Sequence, residues 1–306
     1  MLAVVLALAA TEGILHSLVW RWVQETWAGT EPQRLAEPVT GWTFVPNHHG
    51  QRETDGRVVD YAIDRFDYRV GAAGDQTDPA RPTIVFAGES MMMGYGLPGP
   101  QTIAAQTAAM TGLKPANMSL DGYAIDQTYL RLRHELPPFA RPVAVVIPFL
   151  TLVFDRNLDA DRPHLDAALR WHAVEPPSFR LVELARRVVR YRSSASIDEG
   201  VAMARAALRA SIALANARGA RAINLAPYYR SEDPGEAALR HRVLDDVGLP
   251  YLQVPLEDDW RLVQDRHPNA AGAHAIAVAL ARALADGVGF EPTVSLHPRR
   301  FSRPLP

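Results

Sequence analysis

A chain of 306 residues, 48% hydrophobic and 22% charged with a net charge of −2, carries enough apolar material for a large buried core. It shows no electrostatic drive toward nucleic acid. The absence of cysteine excludes disulfides, thiolate metal sites and cysteine nucleophiles, so any nucleophile is an oxygen or an amine, and the compartment stays open.

The opening stretch MLAVVLALAATEGILHSLVW is almost wholly apolar, broken by Glu12 and His16 and followed by Arg21 and Trp22. Its length suits a bilayer span, so residues 1–27 are expected to form a membrane anchor or signal-like helix. Ala7 and Ala9 offer a small-residue cleavage pattern, yet no basic residue precedes the apolar run; a buried helix is the plainer reading. Glu12 is the weak point of an anchor, because a carboxylate at mid-membrane must be neutralised or paired. The expected placement is membrane-anchored with the remaining chain extracytoplasmic, in the periplasm, although Arg21 and Arg34 count mildly against that orientation.

Residues 28–81 are rich in Gly, Pro, Asp, Thr and Arg, with short strands expected around GWTFVP and RVVDYAID, and form an extension that packs on the main domain. His48 and His49 within it are adjacent and point different ways, so they are read as surface residues and not as metal ligands. From residue 82 to 286 short apolar runs alternate with helical ones. PTIVFAG (82–88) reads as a strand, TIAAQTAAMTG (102–112) as a helix closed by Gly112, PANMSL (115–120) as a weaker strand, and 125–135 as a helix. PVAVVIPFL (142–150) is the clearest strand. Helical periodicity covers 176–192, with a basic face that is read as solvated, and 196–219, where Ser196 and Glu199 form a capping box and Gly219 a stop. RAINLAP (221–227), a helix over 235–248, PYLQVPL (250–256) and a helix over 269–286 complete the domain, and 287–306 form an irregular tail. Five apolar strands separated by helices predict an α/β class, a three-layer α/β/α domain with a five-stranded, mostly parallel sheet. Functional groups in such sheets gather beyond the carboxyl ends of the strands.

Three strand-end segments carry candidate chemistry. Ser90 follows Gly88-Glu89 at the end of the first strand, where a sharp turn into a helix would aim backbone N–H groups at the serine oxygen. The stretch is neither the G-x-S-x-G elbow nor a phosphate loop. Gly122 lies in the loop after the second strand. His267 precedes the Pro268-Asn269 helix start, with Asp265 two residues earlier, an arrangement suited to a general base whose tautomer is held by an acid. Each feature taken singly means only a turn, a cap or a packing residue. Met91, Met92 and Met93 are read chiefly as packing, with an acyl-pocket lining as the other reading.

Together FAGESMMMGYGLP, NMSLDGYAIDQTYL and DRHPNAAGAHAIA resemble, in order, the nucleophile, glycine and histidine blocks of the SGNH, or GDSL-type, hydrolase family. Residues 1–81, with Gly41-Trp42 and Pro46-Asn47, look like a membrane-anchored bacterial-type subgroup. The resemblance implies a flavodoxin-like fold and hydrolysis or transfer of acyl groups. It makes Ser90 the nucleophile, His267 the base, Asp265 the orienting acid, and the Ser90 and Gly122 N–H groups oxyanion donors. It calls for no cofactor and no metal. The substrate it implies is an ester-bearing small molecule, glycan or lipid, with no nucleic-acid partner and with the membrane met through the N-terminal helix.

Three departures stand against it. Glu89 occupies the place of the family's Asp. The acid is two residues before His267 where the family has three, leaving Asp258 and Asp259 as alternatives. The family's oxyanion-hole asparagine is replaced by Leu152 in PFLTLVFDRNLD (148–159), with Thr151 and Asn157 as the remaining candidates. One lost donor costs about 10²–10³-fold in rate. Two functions therefore stand: a serine esterase or acyltransferase of low activity, and a degenerate binding or scaffold protein of the same fold.

Overall fold

The computed structural model of the protein describes residues 2–15, 30–159, 162–174, 192–263 and 265–286, together with residues 179 and 181. Its elements are α1 (Leu2–Ile14), β1 (Arg34–Glu37), β2 (Gly41–Phe44), β3 (His49–Thr54), β4 (Arg57–Ile63), β5 (Arg69–Val70), β6 (Thr83–Phe86), α2 (Ser90–Met93) and α3 (Ile103–Thr111). Then follow β7 (Lys114–Asn117), α4 (Ile125–Glu135), β8 (Pro142–Pro148), a 3-10 segment at Thr151–Leu158, β9 (His164–Leu165), β10 (Trp171–His172), α5 (Ser194–Ala217), β11 (Arg221–Tyr229), α6 (Pro234–Val243), β12 (Leu252–Leu256) and α7 (Ala270–Ala285).

An eight-stranded sheet runs in the order β12-β11-β8-β6-β7-β5-β4-β3. Its first five strands pair in parallel and are the five read from the sequence, in the spatial order second, first, third, fourth, fifth. The strand count differs from the expected five because β5, β4 and β3 continue the sheet antiparallel, joined to β7 through Arg69 opposite Asn117. The N-terminal extension is thus part of the sheet.

The central strands are apolar on both faces, as strands covered by helices on each side must be. On one face Val85, Val145 and Ile147 pack with Leu130 of α4 and Leu208 of α5. On the other, Ile84, Phe86 and Val146 pack with Ile103 of α3 and Ile276 of α7. A third cluster, Phe44, Tyr61, Ile63, Met93 and Tyr123, seals the extension against α2 and the loop before α4.

Helix ends follow local chemistry. Thr102 caps α3 through Ala105 N, and Gly112 ends it in the left-handed region. The start of α5 differs from the sequence reading: Ser193 accepts from Ser196 N, so the Ser196 amide is spent inside the first turn and the helix begins earlier. Gly219, at φ +70, does close it.

Helix α1 spans 13 residues and buries none of them. Among the described residues no helix is long and apolar enough to cross a membrane, and residues 16–27 of the expected anchor lie outside those described. The helix expected over 176–192 and the tail 287–306 also lie outside them, apart from residues 179, 181 and 192. Glu12 is paired: its carboxylate accepts from Leu181 N at 2.9 Å.

Candidate active site

The parallel strands reverse their spatial order between β6 and β8, and a crevice opens beyond the carboxyl ends at such a point. Gly88 turns the chain out of β6 there. A Cβ on it would lie 2.7 Å from Pro148 and 2.8 Å from Met92, so the turn accepts only glycine. Glu89 then caps α2 with its own side chain, accepting from Met91 N at 2.7 Å, and Ser90 takes the first helical position.

Ser90 Oγ lies 2.7 Å from His267 Nε2, and His267 Nδ1 lies 2.6 Å from Asp265 Oδ1. A spacing of two residues brings Asp265 to the imidazole because the loop is tight: Asp265 Oδ1 also accepts from His267 N, and Leu262 N donates to His267 O. Asp258 is engaged elsewhere, accepting from Ser231 N and Ser231 Oγ. The hydrogen bond from His267 holds the Asp265 carboxyl below its ordinary range, against the opposing effect of burial. Ser90 Oγ is also 3.1 Å from Glu89 Oε2, but a hydroxyl has one proton, and the imidazole is the nearer acceptor.

Gly122 belongs to a loop registered on this turn, since Met118 N donates to Phe86 O and Leu120 N to Gly88 O. Three successive carbonyls of the loop are pinned by side chains. Trp42 Nε1 donates to Asp121 O, Arg162 to Gly122 O and Arg156 to Tyr123 O. Arg34 further binds the Asp121 carboxylate. With these carbonyls held, and at φ +83, Gly122 keeps a fixed N–H direction. Among the described residues neither the Ser90 nor the Gly122 N–H donates to another group of the chain.

The remaining sequence candidates separate. Thr151 lines the cleft beside Ser90, together with Leu152, which is 39% exposed. Asn157 is turned away from that role: its Oδ1 accepts from Ile125 N, capping α4, and it does not line the cleft. Met92 and Met93 are fully buried in two different core clusters, while Met91 packs in the core and also borders the cleft. His48 binds Glu31 and His49 faces Asp60; among the described residues no cluster suited to a metal ion occurs.

The cleft holds about 340 Å³ and mixes polar and apolar walls, with Leu150, Val153, Arg156, Tyr228 and Arg266 around Ser90. Arg156 was not identifiable from the sequence, where it is one arginine in a polar loop. Burial draws its guanidinium below the usual arginine range, and the nearby Glu89 carboxylate counteracts this. Trp42, Arg162 and Tyr95 were also missed; only GW in the extension carried any signal.

No protein-family model and no curated protein matches the chain. Among solved structures it is similar to a member of the lipolytic protein G-D-S-L family from Veillonella parvula DSM 2008, at 11% identity over 65% of this chain and 96% of that one, with a TM-score of 0.39. It is also similar to a carbohydrate esterase family 2 enzyme from Corynascus thermopiles (Myceliophthora fergusii), at 16% identity over 76% and 71%, TM-score 0.44. A third is a family two carbohydrate esterase from Clostridium thermocellum, solved with cellohexaose, at 14% identity over 69% and 66%, TM-score 0.42. These are the kinds of protein that the three sequence blocks resemble. At such scores the likeness transfers no residue roles to this chain.

Proposed function

We propose that the protein is a serine esterase or acyltransferase that works through an acyl-enzyme on Ser90. The observation that carries this reading is the unbroken chain from Asp265 to His267 to Ser90 at the switch point of the sheet. His267 Nε2 takes the Ser90 proton as Oγ bonds to the ester carbon, and Asp265 stabilises the imidazolium so formed. The tetrahedral oxyanion is met by the Ser90 and Gly122 N–H groups, with the Arg156 guanidinium adding positive charge to the same cleft. His267 returns its proton to the departing alcohol. Water or an acceptor alcohol then attacks the acyl-enzyme, with His267 again as base, so hydrolysis and transfer share every residue.

The substrate in this reading is an ester on a small molecule, a glycan or a lipid. Attachment to a membrane through α1 belongs to it as well, supported by exposed Leu2, Val4, Val5, Leu6 and Leu8; flotation of the full chain with phospholipid vesicles tests that part. The degenerate, binding-only reading is favoured by one observation, Leu152 in the cleft where a side-chain donor would serve. The deciding experiment is labelling with a fluorophosphonate probe, wild type beside Ser90→Ala and His267→Ala. Labelling of wild type alone supports the esterase. No labelling of folded wild type supports the binding protein.

A further inference from the structure

Hydrogen bonds at Nδ1 and Nε2 hold two corners of the His267 ring, yet the ring can still tilt about the line that joins them. The face of that ring is covered by Tyr95, with centroids 4.6 Å apart and planes inclined at 35°. Arg52, on β3, places its guanidinium carbon 5.0 Å from the centroid of the same Tyr95 ring. Asp55, in the turn between β3 and β4, accepts from Val263 N at 2.7 Å and so ties the hairpin to the loop that bears Asp265 and His267. Between these contacts there is no slack. Gly96 N donates to the hydroxyl of Tyr61 on β4, and a Cβ on Gly96 would lie 2.5 Å from Leu262 and 3.0 Å from Thr54.

We propose that the β3–β4 hairpin of the N-terminal extension positions the catalytic base, with Tyr95 holding the face of His267 and Asp55 holding its loop. The inference rests on the serine-esterase reading of Ser90. Tyr95 and Asp55 are positioning residues, because they act on the imidazole and its loop and not on the ester. Physically, the Tyr95 ring face attracts the imidazolium that forms when the Ser90 proton is taken, and it excludes other orientations of the ring. The groups around His267 are Asp265 and Arg266 in its own loop, Glu89 on the turn into α2, Arg52 behind Tyr95, and Tyr229 of β11, whose hydroxyl donates to Arg266 O. The three antiparallel strands thereby have a use beyond widening the sheet.

The test uses the full chain and two readouts, the rate of fluorophosphonate labelling and the line width of the His267 ring signals in NMR spectra. Tyr95→Phe keeps the ring face and is expected to label within about twofold of wild type. Tyr95→Leu is expected to label about tenfold more slowly and to broaden the His267 ring signals, as the imidazole samples further orientations. Asp55→Ala is expected to slow labelling by about threefold with an unchanged far-ultraviolet circular dichroism spectrum. Wild-type rates in both Tyr95→Leu and Asp55→Ala, with the His267 ring signals as sharp as in wild type, overturn the proposal. Should Tyr95→Leu fail to fold, Arg52→Gln and Asp55→Ala carry the test, and wild-type rates in both overturn it. A wild type that does not label while Tyr95→Leu still broadens the His267 ring signals overturns the esterase reading and leaves the hold of Tyr95 on the imidazole standing.

Discussion

Ser90 Oγ and His267 Nε2 meet at 2.7 Å although 177 positions separate them in the chain. One sits on the turn out of the first parallel strand and the other just before the last helix, and the order of strands in the open sheet brings the two turns to one edge. The contact is between groups with little structural need of each other. Ser90 already has Glu89 as a partner, and the histidine loop is closed by backbone hydrogen bonds.

If the two act as one unit, their deletions do not add. Ser90→Ala and His267→Ala are each expected to lower the hydrolysis of a short aryl ester by about 10⁶-fold relative to wild type, or to background, and the double variant to be no slower than either. Steady-state rates of all three decide it; a double variant markedly slower than both singles counts against a shared role.

Asp265, and not Asp258 or Asp259, is expected to be the acid. Asp265→Asn should lower kcat by about 10²-fold or more, whereas Asp258→Asn and Asp259→Asn leave it near wild type. A pH effect on stability accompanies this. The hydrogen bond from His267 holds the folded Asp265 carboxyl below its ordinary value of 3.8, so its contribution to folding is complete above that pH and is lost as pH falls through the lowered value. Melting curves should therefore separate wild type from Asp265→Asn at neutral pH and bring the two together in strong acid.

The oxyanion question is open to three substitutions. Arg156→Ala is expected to lower kcat by about 10²-fold with a smaller change in KM, and Arg156→Lys to recover part of it. Thr151→Val tests whether the hydroxyl in the cleft contributes at all; a kcat near wild type leaves Arg156 as the side chain that matters. Asn157→Ala is expected to act on stability, by about 1 kcal/mol from loss of the α4 cap, with kcat unaffected.

Gly122→Ala should be costly for two reasons. The residue sits at φ +83, and its Cβ would lie 3.1 Å from the Trp42 ring. A stability loss of about 1–2 kcal/mol is expected from the backbone conformation alone, with a fall in kcat as the N–H direction shifts. Chemical denaturation and ester hydrolysis measured on the same preparation separate the two effects.

Much of this was legible in the residues, wherever the physics is local. A strand buried on both faces is apolar nearly throughout, which is why VVIP marks β8 and INLAP, with the single hydrogen-bonded Asn224, marks β11. Thr102, Asn269, Gly112 and Gly219 mark helix ends because caps and left-handed turns are chosen by single residues. Ser90, Gly122, Asp265 and His267 stood out because each lies at such a boundary. The strand β3 was invisible: HGQRET is polar, as an edge strand is free to be. The approach of Asp265 and not its neighbours to His267, the turning of Asn157 onto α4, and the roles proposed for Arg156, Tyr95, Arg52 and Asp55 depend on which segments come together. Those approaches are set by the order of strands in one sheet, and order in a sheet is a relation between distant parts of the chain that no short window of residues encodes.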